Sequence, residues 1–359
     1  MKKVLLVVVA LASTNAFATR ARVNALGNSP HLVDTQTVYS NPADMMIMGD
    51  YVTMETGTTA GGAEGANAEG MVTRSMGDSK MGLSLGHQSK NASATWGLRA
   101  LAGFATIKSQ QNPVEFSYGM KTADMNWAAT LVYSNYNDKV ASEKESSMGI
   151  RTGLRMGALD AKLNIGLTNT YENATDGKFK GNMGLTAGAG YAMDNLYVSG
   201  AVTMAGFKAE NAAGTETKDY SATEIAASAV SSHKKDGNEF FYGAGLTSVN
   251  TKEKVADSKT TQLYLPVWMG LEVDAASWLT VRGSVTQKTL INSTKVETGA
   301  TTTTETAPGA NSTAVAVGAG MKWNKLTLDG SLTGLSGAAA NQKVDGTNLL
   351  GQVGVTYMF

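Results

Sequence analysis

The sequence predicts an all-β fold: a transmembrane antiparallel up-and-down β-barrel of about sixteen strands, within a range of roughly fourteen to eighteen. Three observations predict it. The final segment alternates apolar and polar residues, the same alternation recurs along most of the chain, and short turns alternate with long polar connections. Together these are typical of strands that face lipid on one side and a lumen on the other.

The last eleven residues, Leu349 to Phe359, form the clearest strand. One face carries apolar residues and ends in Tyr357 and Phe359, while the other face is small and polar. A terminal Phe after spaced apolar residues resembles the C-terminal signature of bacterial outer-membrane barrels. The resemblance implies that Tyr357 and Phe359 act as an insertion signal for the barrel-assembly machinery. The alternative is the last strand of a soluble β-protein.

The N-terminus predicts export. Lys2 and Lys3 precede the apolar run Val4 to Ala12, and Ala16-Phe17-Ala18 offers a small-residue cleavage site, which is typical of a signal peptide over residues 1–18. No later stretch approaches the length of apolar sequence that a membrane helix needs. We expect a periplasmic or lumenal segment at 19–48, a barrel at 49–359, and a location in the outer membrane of a Gram-negative bacterium.

The composition agrees with a barrel and excludes several other classes of protein. The 359 residues include 40 Gly and 5 Pro, and the mean hydropathy of −0.14 is what alternating faces average to. With no Cys, the chain has no disulfide framework, Cys-ligated zinc or thiol nucleophile. The 30 basic and 30 acidic residues balance, so we expect no nucleic-acid partner. A secreted soluble β-protein shares these numbers.

The alternation and the turns place the strands. Four aromatic residues lie near short turns and predict a membrane-interface belt at the periplasmic side: Trp127, Tyr191, Trp278 and Trp323. Asn91 to Gln111 is too apolar for a solvated loop, and is either a helical loop folded into the lumen or two more strands. We expect strands to start near residues 50, 69, 80, 114, 125, 146, 160, 181, 196, 222, 238, 261, 278, 313, 325 and 349.

The segment before the first strand carries a motif. Leu26-Gly27-Asn28, then Asp34, then Tyr39 to Met45, with Asn41-Pro42-Ala43 inside it, resembles the N-terminal segment of FadL-type outer-membrane transporters. In that family this segment plugs the barrel, which implies that Asn41, Pro42 and Ala43 form a plug or a strand-entry turn. The alternative is that Asn-Pro simply starts a turn. The polar interior face departs from the apolar lining that a fatty-acid conduit needs.

Charged residues on the inward-facing positions are the candidate pore-lining groups. Rings of charge in a pore set ion preference, whereas confined charges that pair with one another only stiffen the wall. Both signs are present, so strong selectivity is not predicted. The candidates are Glu55, Arg74, Glu115, Lys121, Arg151, Arg155, Lys162, Glu224, Glu239, Glu272, Arg282 and Asp329. Arg74 is assigned inward because charge on a lipid face is costly.

No motif predicts catalysis. His87-Gln88-Ser89 matches the His-x-Ser spacing of outer-membrane phospholipases, but the match is two residues long, and no phosphate loop or metal-ligand cluster is evident. We therefore expect no enzyme, no cofactor and no bound metal.

The expected function is a porin that passes small hydrophilic solutes and ions. The alternatives are a FadL-like transporter of hydrophobic molecules gated by the N-terminal segment, and a structural or adhesive surface barrel. The expected partners are outer-membrane lipid and lipopolysaccharide. Homotrimers are common among porins of this size, although no feature of this sequence demonstrates one.

Overall fold

The fold is seen in a computed structural model of the chain. The residues it describes are 19–57, 67–88, 99, 101–104, 110–291, 294–298, 301–305, 311–337 and 349–359. The predicted signal peptide and much of Asn91 to Gln111 lie outside these residues.

Antiparallel strands form one closed sheet, because β1 pairs with both β2 and β19. The strands are β1 Tyr51–Gly57, β2 Asn67–Met76, β3 Ser79–Leu85, β4 Val114–Lys121, β5 Asn126–Asp138, β6 Glu143–Met156, β7 Leu159–Asn173, β8 Gly177–Gly181, β9 Gly184–Met193, β10 Leu196–Glu210, β11 Glu216–Lys235, β12 Asn238–Glu253, β13 Ser258–Ala276, β14 Leu279–Leu290, β15 Thr294–Thr298, β16 Thr301–Glu305, β17 Ser312–Trp323, β18 Leu326–Gly337 and β19 Leu349–Met358.

These segments occupy sixteen positions around the barrel. β8 and β9 both pair with β7 and β10, so they share one position, interrupted at Asn182-Met183. β15 and β16 form a hairpin that extends the positions of β14 and β17, since β15 pairs with β13 above the end of β14. The predicted barrel and its sixteen strands are therefore confirmed.

The strands extend further than the sequence pattern indicated. Strand starts were predicted near residues 222 and 261, yet β11 begins at Glu216 and runs for 20 residues, and β13 begins at Ser258 and runs for 19. Their ladders continue through polar residues, for example Lys208 opposite Asp219. Polar pairs suit a sheet that continues beyond the apolar band, because main-chain hydrogen bonding does not depend on which side chains face outward.

The outer surface of the barrel is apolar. Large exposed hydrophobic side chains alternate with inward-facing ones along the strands, and Leu131, Leu246, Val317 and Leu332 are each about half exposed. A contiguous apolar surface of this kind is what a membrane-spanning barrel presents to lipid. Among the described residues, no helix is long and apolar enough to cross a membrane.

The aromatic residues predicted to form the belt lie at the barrel end where the strands join by short turns, here called the short-turn end. Tyr191, Trp278 and Trp323 are about half exposed there, and Trp127 is partly buried with its ring edge toward Tyr118. The C-terminal residues Tyr357 and Phe359 are exposed at the same end, their rings in a T-shaped contact at 5.6 Å between centroids.

The residues before β1 lie against inward-facing side chains of the strands. They contain helix α1, Arg20–Ala25, and two 3₁₀ helices, Thr37–Tyr39 and Pro42–Ile47. Ala25, Leu26, Ala43 and Met45 are fully buried, although so short a segment has little core of its own. The barrel wall buries them. Ala25, for example, approaches Gly318 on β17, where an added Cβ would lie 2.6 Å from the Cβ of Ala25.

Candidate functional site

The Asn-Pro-Ala motif starts the second 3₁₀ helix. The Asn41 side chain accepts a hydrogen bond from the Ala43 backbone N–H at 3.1 Å, and Pro42 occupies the first helical position. Both are favoured at a helix start, since Asn satisfies a free N–H and Pro has none to satisfy. Gly153 on β6 faces this turn closely, and a Cβ there would overlap the Asn41 side chain. The motif is thus a buried helix start packed on the wall.

The end of the same helix is fixed by a buried lysine. The ammonium of Lys80, on β3, donates to the backbone carbonyls of Met45, Met48 and Gly49 at 3.1, 2.5 and 2.9 Å. A cation at a helix C-terminus satisfies carbonyls that have no partner within the helix. The wall therefore determines where this helix ends.

Two arginines and three carboxyl groups join the N-terminal segment, residues 19–48, to strands β13, β14 and β18. Arg22 donates to both carboxylate oxygens of Glu272 at 2.8 and 3.1 Å, and to Asp34 at 2.9 Å. Arg282 bonds Glu272 and Asp329, each at 2.5 Å. These five residues are named the five-charge cluster.

The five-charge cluster has one more acid than base, so a fully ionised cluster would carry a net negative charge in a buried place. Burial raises the pKa of Asp34 to about 7, and the negative charge of Asp329 acts in the same direction, while Arg22 opposes the shift. The same cluster raises the pKa of Arg22, because the charges of Glu272 and Asp34 outweigh its burial. One proton held by a carboxyl group relieves the imbalance.

A second polar cluster lies at β1, β2 and β3. The Arg20 side chain bonds Glu69 at 2.5 Å, and its backbone N–H bonds Glu55 at 2.8 Å. The Gln36 amide bridges the same two carboxyl groups at 2.8 and 2.7 Å. His87 also contacts Glu69, at 2.7 Å. Two wall carboxyl groups thus find their partners in the N-terminal segment.

His87 packs against the N-terminal segment. Its ring stacks on Tyr39 at 3.6 Å between centroids, with the two planes 8° apart. The Tyr39 hydroxyl in turn pairs with Ser84 at 2.8 Å. Ser89, the other half of the His-x-Ser spacing, lies outside the described residues.

Wall bases on β6 and β7 pair with the segment in the same way. Arg155 donates to Asp44 at 2.6 Å, and the ammonium of Lys162 donates to the Ser40 hydroxyl at 2.7 Å. Burial lowers the local dielectric constant around these hydrogen bonds, which strengthens their electrostatic attraction. Arg155 and Lys162 are therefore engaged by the N-terminal segment.

Further contacts of the N-terminal segment are made at β11, β12 and β13. His31 contacts Glu239 at 2.9 Å. Leu26 and Leu32 pack with Val230 and Phe241 in one buried apolar cluster. This combines an ionisable contact with apolar burial, so the N-terminal segment is held by both kinds of interaction.

Two of the candidate pore-lining residues, Glu115 and Arg151, pair between strands of the wall. Arg151 on β6 binds Glu115 on β4 through two parallel hydrogen bonds of 2.6 and 2.7 Å, and both side chains are buried. Bidentate geometry of this type is the strongest arrangement for an arginine and a carboxylate. Glu115 and Arg151 therefore stiffen the wall.

The inward assignment of Arg74 is wrong. Arg74 shares the outward face of β2 with Val72 and Met76, its side chain is 71% exposed, and it lies 3.6 Å from Asp50. It lies three residues before the short turn at Gly77. The membrane interface is polar there, which lowers the cost of exposing a charge, and that cost was the reason for the inward assignment. Lys121 is exposed at the same end, as the last residue of β4.

Glu224 differs from the other inward-facing charges. It lies on β11, on the face that carries the buried Val230, yet it is itself exposed. Its neighbours in the sheet are Thr203 on β10 and Val249 on β12. Because the side chain is exposed on the inward face, its carboxyl group lies in an accessible part of the lumen. Within the described residues it makes no ion pair.

Part of the apolar segment between β3 and β4 packs at the end opposite the short turns. Arg99 donates to Asn169 at 2.9 Å and to Glu145 at 3.2 Å. Ala102 joins a buried cluster with Tyr171, Phe179, Phe207 and Ala209. The described residues of this segment therefore pack on inward-facing side chains, and they extend the filled part of the lumen.

Several residues that make these contacts were missed by sequence reasoning: Arg20, Arg22, His31, Asp34, Asp44, Glu69, Lys80, His87 and Arg99. Arg20 and Arg22 could have been recognised from the sequence. Two arginines two residues apart, in a short segment before a barrel, predict acidic partners on the barrel wall. Over the described part of the chain, no group of three or more potential metal ligands is found.

Comparisons with known proteins find likeness in structure only. No family model and no curated protein matches the sequence. A loop-deletion mutant of OmpT, an outer membrane protein of Vibrio cholerae, matches 86% of this chain and 97% of its own, with 9% identity and a TM-score of 0.43. The P. putida toluene transporter TodX matches 96% of this chain and 99% of its own, with 12% identity and a TM-score of 0.41. A Pseudomonas aeruginosa FadL homologue matches 96% of this chain and 98% of its own, with 11% identity and a TM-score of 0.45.

Proposed function

We propose that this protein is an outer-membrane transport barrel that passes small hydrophilic solutes and ions, and that its N-terminal segment constricts the lumen. The observation that carries this proposal is the distribution of contacts. The N-terminal segment bonds wall charges on many strands, while several polar residues on the inward faces of β9–β11 stay at least partly accessible, among them Thr186, Ser199 and Glu224. A narrowed aqueous path suits solutes that need no covalent step, so no enzyme activity is proposed.

The location and the assembly route belong to the same proposal. The apolar outer surface and the aromatic residues at one end suit a lipid bilayer with lipopolysaccharide. Export through a signal peptide over residues 1–18 and insertion guided by Tyr357 and Phe359 would deliver the chain to that membrane. N-terminal sequencing of the mature protein after membrane fractionation tests both, and a soluble periplasmic protein would contradict them.

Planar-bilayer recording tests the transport function. The purified full-length mature chain should open stable channels of small conductance, and a variant lacking residues 19–48 should open wider ones, because the segment's volume leaves the lumen. A wild-type protein that forms no channels would contradict the proposal and favour a closed structural barrel. Heat-modified mobility on gels checks that the deletion variant still forms a barrel.

The second candidate is transport of hydrophobic molecules with the N-terminal segment as a gate. It is favoured by one observation, the apolar cluster of Leu26, Leu32, Val230 and Phe241 between segment and wall. Uptake of a labelled fatty acid that is lost on deleting residues 19–48, while conductance is kept, would favour this candidate. The predominantly polar inward faces support the first candidate instead.

A further inference from the structure

The lumen is filled unevenly around its circumference. On β5 the inward-facing residues Ala128, Thr130, Val132 and Ser134 are all buried. On β9 and β10 the corresponding residues, such as Thr186 and Ser199, are only partly buried. The inward faces of β9, of β10 from 197 to 205, of β11 from 220 to 228 and of β12 from 243 to 251 are here named the open flank.

The open flank is lined by small side chains that lie along the wall. Thr186 and Thr203 share a hydrogen bond of 3.1 Å, and Ser199 and Ser228 share one of 2.7 Å. Hydroxyls that bond sideways to the next strand do not project into the lumen. They also leave each oxygen able to contact a passing solute, since a hydroxyl has one donor and two acceptor positions.

The contacts of the N-terminal segment lie elsewhere on the wall. Its helix α1 packs on β14, β17, β18 and β19, and the 3₁₀ helix Pro42–Ile47 packs on β4, β5 and β6. The neighbour of the open flank on one side is Lys162, which the segment holds through Ser40. On the other side is the buried Phe241, held through the apolar cluster with Leu26. The segment thus borders the open flank on two sides.

Glu224 is the single charged residue on the open flank. The inward-facing residues of β9, β10, β11 from 220 to 232, and β12 from 241 to 251 are otherwise Gly, Ala, Ser, Thr, Val and aromatic residues. The nearest inward-facing base along β11 is Lys218, six residues nearer the long-loop end, where it approaches Gly103. Another base, Lys288 on β14, lies over the ring of Tyr264 at 3.9 Å.

We propose that solutes cross the barrel along the open flank, between the N-terminal segment and strands β9–β12, and that the exposed carboxylate of Glu224 makes this passage favour cations and small cationic solutes. The proposal deepens the transport function and rests on it. An unpaired charge in a narrow aqueous path acts on ions more strongly than one in bulk water, because low-dielectric walls focus its field.

The test is the reversal potential of the purified full-length mature protein in a planar bilayer under a KCl gradient. We expect a cation-favouring potential that moves toward zero in Glu224→Gln and to the anion-favouring side in Glu224→Lys. Glu172→Gln is the matched control, because Glu172 is an exposed acid on the outward face of β7 and its loss should leave the potential unchanged. An unchanged potential in both Glu224 variants would overturn the proposal.

A thiol-labelling experiment tests the path independently of charge. The chain has no cysteine, so every introduced thiol is unique. We expect a cationic methanethiosulfonate to react with Ser228→Cys and to reduce conductance. Ser134→Cys is the control, since Ser134 is buried beside Glu145 on the filled side and should not react in the folded barrel. Open channels with an unreactive Ser228→Cys would overturn the passage alone, whereas a silent wild type would overturn the transport function itself.

Discussion

Arg22 and Glu272 are 250 residues apart in the sequence and form two parallel hydrogen bonds of 2.8 and 3.1 Å inside the barrel. Arg22 belongs to the N-terminal segment and Glu272 to β13. The pair therefore ties the N-terminal segment to the wall, within a cluster that Arg282, Asp34 and Asp329 complete.

Arg22→Met should loosen the N-terminal segment. The change leaves Asp34 without its arginine, and removing one partner of a buried pair typically costs about 3–5 kcal/mol. We expect larger and noisier single-channel conductance, and faster protease cleavage within residues 19–48. Lys208→Met, a change at an exposed surface pair, serves as the control. Wild-type conductance and cleavage in Arg22→Met would contradict a holding role for the pair.

Asp34→Asn should remove a pH dependence of segment attachment. The pKa of buried Asp34, about 7, lies above its ordinary value of 3.8. The folded form therefore binds the proton more tightly, and attachment should weaken as pH rises from about 4 toward 7 and beyond. The rate of protease cleavage within residues 19–48, compared at pH 5 and pH 8, measures how firmly the segment is attached. Wild type should be cleaved faster at pH 8 than at pH 5, and Asp34→Asn should reduce this difference in cleavage rate. An equal difference in both proteins would contradict the assignment of the pH dependence to Asp34.

Glu115→Gln should affect stability rather than selectivity. The Arg151 guanidinium would remain buried without its carboxylate, at a cost of about 3–5 kcal/mol. We expect a lower temperature for loss of the folded band on semi-native gels, with an unchanged reversal potential. The double variant Glu115→Gln with Arg151→Met should recover part of the loss, because the buried guanidinium is removed together with the Glu115 carboxylate. A shifted reversal potential in Glu115→Gln would instead make this pair part of the pore.

Gly153→Ala should displace the Asn41 turn. A Cβ at this position would overlap the Asn41 side chain and lie 2.8 Å from the Ala43 nitrogen. We expect raised conductance and raised protease access to residues 19–48, while the barrel itself persists. Gly200→Ala is the matched control, since its added Cβ would meet the Ala226 carbonyl at an ordinary 3.6 Å. If the two variants behave alike, the close contact at Gly153 has no role in positioning the segment.

The barrel was predictable because its determinants are local. The period of two in Leu349 to Phe359 and in the strands before it depends only on neighbouring residues, and the structure keeps it. The failure at Arg74 has the opposite origin. Its inward assignment came from the cost of charge in lipid, and that cost depends on depth in the membrane, which the position of Arg74 near a strand end determines.

Sequence alone predicted the antiparallel barrel of about sixteen strands and the alternating faces of the last strand, which ends at Tyr357 and Phe359. Which of the inward-facing charges are paired depends on how the chain folds in three dimensions. Glu272 and Glu224 both occupy inward-facing strand positions and carry the same carboxyl group. Glu272 is bound by Arg22 and Arg282, whereas Glu224 faces accessible space. The reason is physical: pairing inside a barrel depends on where a separate segment of the chain lies across the lumen, and no period along a strand records that position.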